Sequence, residues 1–307
     1  MRHSIPWSVG EENKAASIIV QPRCDLPRIL ASHAVALAPI AEFAYRAARK
    51  GAELLSKIDL AAAWDDARAM GVANRDLLGA VAGMFLLLPA VIAEQFIKAP
   101  EALGENATNE MVLARMAQYA ELNWPVLLAY AVVSSFGILT LHALLLRPER
   151  LTVRESLRAA LPILPGYVIA NLLQGLGVMT GMLLFLIPGF YLIGRLALIA
   201  PVSAAEGQSN PVTILQRSAV LTYGNGWRIF GVLSIIFVTM FILGLVLSTL
   251  VGVVAELLLP ADVADLAMVL VSAIIETARA VLVVLVCAAL YRAASARPAG
   301  VTGMGRL

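Results

Sequence analysis

The sequence predicts an all-α, polytopic helical membrane bundle with about six transmembrane helices and short cytoplasmic interfacial helices. Three observations carry that prediction. Of the 307 residues, 60% are hydrophobic and 14% charged, and the mean hydropathy is +0.83, which is too apolar for a water-soluble domain of this length. A hydrocarbon core of about 30 Å needs roughly 20 apolar residues in a helix, and a window of that length finds six runs. Nineteen of the 23 Lys and Arg residues fall on one side of those runs, and only Lys98 and Arg115 on the other. Short loops rich in Lys and Arg stay cytoplasmic, so both termini are expected in the cytosol, and the membrane expected is a bacterial inner membrane.

Three regions follow from this. Residues 1–55 hold a polar tail and a moderately apolar stretch, 28–50, that carries Glu42 and Arg46. A signal peptide needs an uninterrupted apolar centre and a small-residue cleavage site. The stretch offers neither cleanly, so an interfacial helix is expected there, with a start codon assigned too early as the alternative. Residues 56–295 form the six-helix membrane domain, with spans near 77–97, 123–146, 159–178, 181–203, 229–253 and 266–291. The glycines of "GLGVMTG", 175–181, are expected to turn the third span into the fourth. Residues 296–307 are a cytoplasmic tail.

Three segments on the basic side share a design: 59–74, 152–160 and 210–225 each open on a capping residue and lead into a span. Thr152 with Glu155 three residues on reads as a capping box, and Asn210 followed by Pro211 as a cap with proline in the first helical position. Gly224 is expected to stop the last of them. A threefold repeat of short helix plus two spans is the pattern this suggests.

Polar residues inside spans cost about 2.5–3.5 kcal/mol each for a central Arg or Asp, so each needs an account. Arg195 interrupts "IPGFYLIGRLALIAP". It either snorkels to the cytoplasmic surface or serves a site. Glu276 and Arg279 lie three apart on one face of the last span; a local ion pair is one reading and a polar pocket or ion path the other. Asn171 and Gln174 share a face of the third span, where interhelical hydrogen bonds are the ordinary use. Pro162, Pro165 and Pro188 are expected to kink helices.

Several chemistries are set aside. A net charge of +2 without a basic block interleaved with aromatics does not suit nucleic acid. Cys24 and Cys287 are poorly placed to pair, and His3, His33 and His142 carry no metal-ligand spacing. No cofactor, no metal and no catalytic residue is expected.

The run "IPGFYLIGRLALIAPVSAAEGQSNPVTILQRSAVLTYGNGWRIFG", with Pro188, Gly189, Arg195, Pro201, Glu206, Gly207, Ser218, Thr222, Gly224, Asn225, Trp227 and Arg228, and the closing "CAALYRAA" resemble the membrane-domain family named after glycerophosphoryl diester phosphodiesterase and related bacterial polytopic proteins. The specific motif covers 187–231. The resemblance implies a helical membrane bundle and little chemistry, because the enzyme that lends its name works through a separate soluble barrel that this chain lacks. Around the motif, Glu206, Arg217 and Arg228 are expected to surround a short surface helix, with Asn225 beside them and Trp227 at interface depth, where rings and cations favour lipid headgroups. The function expected is thus a non-enzymatic membrane protein that organises lipid, a partner protein or a second copy of itself. The alternative is a small-solute or lipid transporter using Arg195, Glu276 and Arg279.

Overall fold

The structure, a computed structural model, describes residues 57–97, 108–149 and 151–296. The stretch expected as an interfacial helix at 28–50, together with Cys24, His3, His33, Lys98, Arg150, Arg297 and Arg306, lies outside them. Among the described residues there are helices and no strands. Six helical segments are long and apolar enough to cross a membrane, and the chain is an integral membrane protein of the all-α polytopic kind.

The elements run α1 (Leu60–Ala73), α2 (Arg75–Phe96), α3 (Asn109–Leu146), α4 (Val153–Ala160), α5 (Leu164–Leu184), α6 (Leu186–Arg195), α7 (Ile199–Glu206), α8 (Pro211–Leu221), α9 (Gly226–Leu258) and α10 (Ala261–Ser295). The fourth span is α6 and α7 together, Leu186–Glu206. The short helices α1, α4 and α8 each precede a pair of spans, and all three stand at one end of the bundle, here called the basic end.

Capping chemistry fixes where the short helices begin. Asp59 accepts hydrogen bonds from the amides of Ala61 and Ala62 at the start of α1. Asn210 does the same for Val212 and Thr213 at the start of α8, with Pro211 in the first turn. Thr152 and Glu155 form the full reciprocal box at α4. The Thr152 amide and then its hydroxyl hold the Glu155 carboxyl below the usual carboxylate range. A carboxyl depressed on folding stabilises the folded state above its unfolded pKa, and that contribution is lost as pH falls through the folded value. Acidification from the ordinary glutamate range is therefore expected to speed amide exchange in the first turn of α4 beyond its intrinsic pH dependence. Glu155→Gln, which keeps the box without a titrating group, should flatten that response.

Prolines set the helix breaks, though not where the sequence pattern places them. Pro162 lies in the turn before α5, and Pro165 and Pro188 sit in the first turns of α5 and α6, where a missing N–H costs nothing. They start helices rather than kink them. Inside a helix a proline ring clashes with the carbonyl four residues back and leaves it unbonded. Pro89 meets this by a π-helical turn, Gly83–Leu87, immediately before it, and that turn packs Phe85 against Phe136 of α3 at 5.4 Å. Pro201, like Pro188, stands in the first turn of its helix, α7, after the break at Leu196–Leu198 that parts it from α6. The turn between the third and fourth spans is at Phe185 rather than at 175–181. Gly175 and Gly177 stay helical with open space beside them, while Gly181 packs on Gly189 across the hairpin.

The core is gathered at the basic end. Leu139, Leu141, Leu198, Val202, Ile214, Ile229 and Leu290 are all fully buried there. Toward the other end α5 and α9 have little protein around them: of their most apolar windows only 17% and 11% is buried inside the molecule. The remainder is left open by the protein, as suits a span that faces hydrocarbon.

Candidate functional site

Glu276 and Arg279 form one ion pair on α10. The Arg279 Nε donates to Glu276 Oε2 at 2.9 Å, and Nη2 donates to Oε1. The Arg279 guanidinium also lies 5.9 Å from the centre of the Phe237 ring of α9. At 1.5 Å per residue, Glu276 is about 22 Å along the helix from Tyr291 at the basic end, well inside the bilayer. Two half-exposed ionised groups persist at that depth because each neutralises the other.

The pair borders a cavity of about 350 Å³ walled by α3, α5, α10 and the break at Leu196–Leu198. That volume is at the low end of the roughly 300–1,000 Å³ of small-molecule sites. Near its mouth stand Tyr130, Asn171, Gln174 and Glu276, all partly exposed; its far end is closed by His142, Tyr167 and Cys287, all buried. The cavity is thus blind toward the basic end, where the packed core separates it from the surface.

Three of its lining groups have unmet hydrogen-bonding capacity. The Ser134 Oγ, Thr277 Oγ1 and His142 Nε2 atoms are buried without a hydrogen-bond partner, and all three residues line this cavity. A fourth such atom, Ser156 Oγ, is elsewhere, on α4. His142 is 1% exposed, and its Nδ1 lies 2.8 Å from the Ile138 carbonyl. Donation there fixes the tautomer in which Nε2 is an acceptor. An unmet buried polar atom costs about 1–3 kcal/mol, so three around one space leave it able to receive polar matter, from ordered water to a polar ligand.

The sequence pattern singled out Glu276, Arg279, Asn171 and Gln174 but missed Tyr130, Ser134, His142 and Thr277. A signal existed: Tyr130, Ser134 and His142 stand four and eight residues apart, which places them on one face of an otherwise apolar helix.

Arg195 belongs to a different structure. Its carbonyl, released where the helix breaks at Leu196–Leu198 and the Ile199 amide turns to Leu196, accepts from Ser218 Oγ at 3.2 Å and lies 2.7 Å from Thr222 Oγ1. Ser218 Oγ in turn accepts from the Leu198 amide at 3.2 Å. The hydroxyls of Ser218 on α8 and of Thr222 at its C-terminal cap therefore satisfy the opened backbone. The guanidinium sits 5.4 Å from the centre of the Tyr223 ring and 5.9 Å from that of Tyr191, with its Nη1 3.5 Å from Thr222 Oγ1. Among the described residues no carboxylate is within ion-pair reach of it. Glu206, Glu276 and Arg195 are thus not brought together.

The remaining candidates fasten the basic end. Glu206 of α7 receives Arg217 Nε of α8 at 2.9 Å and Tyr291 Oη of α10 at 3.1 Å, joining three elements. Asn225 is buried and accepts the Ile58 amide at 3.0 Å, and Arg228 donates to the Ile58 carbonyl at 2.9 Å. The entry to α1 is thereby tied to α9. Arg292 pairs with Asp66 of α1 at 3.0 Å. Trp227 is half-exposed beside Tyr191 and Phe230. Arg217 and Arg228, expected around the surface helix beside Trp227, both engage protein atoms there.

No family model, curated protein or solved structure matches this chain. The geometry of the cavity and of the basic end is what its function can be argued from.

Proposed function

We propose that this is a non-enzymatic membrane protein of the permease type, which admits a polar ligand to an intramembrane cavity bordered by Glu276 and Arg279. The observation that carries the reading is the cluster of three unmet polar atoms, from Ser134, Thr277 and His142, around one cavity beside an ion pair. A bundle meant only to hold its neighbours in place gains nothing from leaving those groups unpaired between its spans. The broken fourth span supports it further, since Leu196 and Ala197 of the break form part of the wall, and interrupted helices at membrane depth are tolerated where they line a cavity. A catalytic role is disfavoured because no hydroxyl or thiol among the described residues is hydrogen-bonded to the His142 ring. The lipid- or partner-organising role is second, because Arg217, Arg228 and Arg292 are engaged within the protein. The excess of Lys and Arg on one side supports an inner-membrane protein with the basic end and both termini in the cytosol. The likeness of 187–231 to the phosphodiesterase-associated membrane domains fits a membrane module of this kind.

The test is solvent access. In a background with Cys24→Ser and Cys287→Ala, Ser134→Cys and Thr277→Cys are each reconstituted in vesicles and exposed to a charged, membrane-impermeant thiosulfonate. Both positions are expected to react, and Leu139→Cys, in the packed core, to stay inert. Inertness of both cavity positions would remove the reading.

A further inference from the structure

We infer that the ligand of this cavity is the head of a zwitterionic phospholipid bearing a primary ammonium, whose acyl chains lie in a groove between α9 and α10. The inference rests on the polar-cavity reading and adds the chemistry of the occupant. The groove, about 320 Å³, is walled chiefly by Phe237, Met240, Phe241 and Leu245 of α9 and Ile275 of α10, and Glu276 and Arg279 line it as well as the cavity. A molecule seated at the pair therefore meets hydroxyls and amides on one side and apolar side chains on the other. A water-soluble solute leaves the groove unused, and a bare acyl chain leaves Ser134, Thr277 and His142 unmet. An amphiphile satisfies both. Phe237, Phe241 and Leu245 on this part of α9 are more than half exposed within a span apolar enough to cross the membrane, so the route in is lateral, from the bilayer itself.

Charge selects the head. Glu276 and Arg279 are the only carboxylate and guanidinium lining either space, and as an ion pair they are together neutral. A ligand of net charge would leave that charge unbalanced in a low-dielectric site. A zwitterion exchanges with the pair. Its phosphate accepts from the planar Arg279 donors and its ammonium donates to the Glu276 carboxylate, so every charge stays paired throughout. A quaternary ammonium cannot donate, which favours the primary amine.

The experiment uses the full chain reconstituted in vesicles of phosphatidylethanolamine and phosphatidylglycerol, gently extracted and weighed intact by native mass spectrometry. Retained phosphatidylethanolamine is expected to exceed phosphatidylglycerol by about tenfold, the worth of one charge-assisted contact. Ser272→Phe and Ser248→Phe, which fill the groove, and the charge-balanced E276Q/R279Q should each reduce retention by a similar factor while the thermal transition is kept. Equal or greater retention of phosphatidylglycerol, or retention undiminished in all three variants, would overturn the inference. A second arm asks whether glycerophosphoethanolamine, the head without its chains, shields Thr277→Cys from the thiosulfonate as well as the lipid does. Equal shielding would assign the cavity to a soluble solute, ending the lipid inference and leaving the polar cavity standing. Failure of both Thr277→Cys and Ser134→Cys to react under any condition would end both.

Discussion

Glu276→Gln is expected to cost the protein about 2.5–3.5 kcal/mol, the insertion penalty of one uncompensated charge among spans. The substitution removes the carboxylate that receives both Nε and Nη2 of Arg279. What remains is a guanidinium deep in α10 that faces a neutral amide at 276 and the Phe237 ring, and a ring face returns only about 0.5–2 kcal/mol. Thermal unfolding of the solubilised protein, followed by circular dichroism, should show a clear downward shift. E276Q/R279Q should recover most of it, since no charge is then left alone. A single variant as stable as the parent would mean that water, rather than the partner, solvates Arg279.

Gly194→Ala carries the second large effect. A Cβ at this position would collide with the Gly226 carbonyl oxygen and come within 3.0 Å of Phe230 Cβ, so backbone, not a side-chain tip, stands in the way. The close approach of α6 to the start of α9 sets the stack of Phe190 on Phe230 at 5.2 Å and the seat of Arg195 over Gly226. Overpacking of this kind costs about 1–3 kcal/mol and more when backbone must move. The expected outcome is a large loss of folded, monodisperse protein on extraction. Gly175→Ala is the control: its Cβ meets nothing, and it should behave as the parent.

Much of the architecture was legible because it follows from one-dimensional rules. Apolar run length located six spans, and side-chain oxygens at Asp59, Thr152 and Asn210 located the starts of α1, α4 and α8. The ends of spans were less legible: α3 begins at Asn109, capped by Thr108 through the Met111 amide, because a helix continues past the hydrocarbon whenever caps and propensity allow. Proline positions were read correctly as breakers but their consequences were misplaced. A proline in a first turn and a proline in a helix interior are the same letter, and only the start of the helix distinguishes them. The pair Glu276 and Arg279 was visible as a spacing, whereas its cavity needed α3 and α5 beside it. The hydroxyls of Ser134 and Thr277 gave no composition signal, since both residues are common in membrane helices with their protons returned to the backbone. Arg195 was conspicuous in sequence for its charge, yet its carbonyl is the part that bonds most closely.

The uneven distribution of packing has a mechanical consequence. With Glu206, Asn225, Arg228 and Arg292 pinning one extremity and little protein around α5 and α9 toward the other, the described helices are held like the limbs of a clothes peg whose spring lies at the pinned end. Lateral squeezing or thinning of the leaflet around the free limbs acts with a long lever arm about that spring. Membrane thickness and acyl composition are therefore expected to bear on how far the limbs stand apart, while the pinned end keeps its shape.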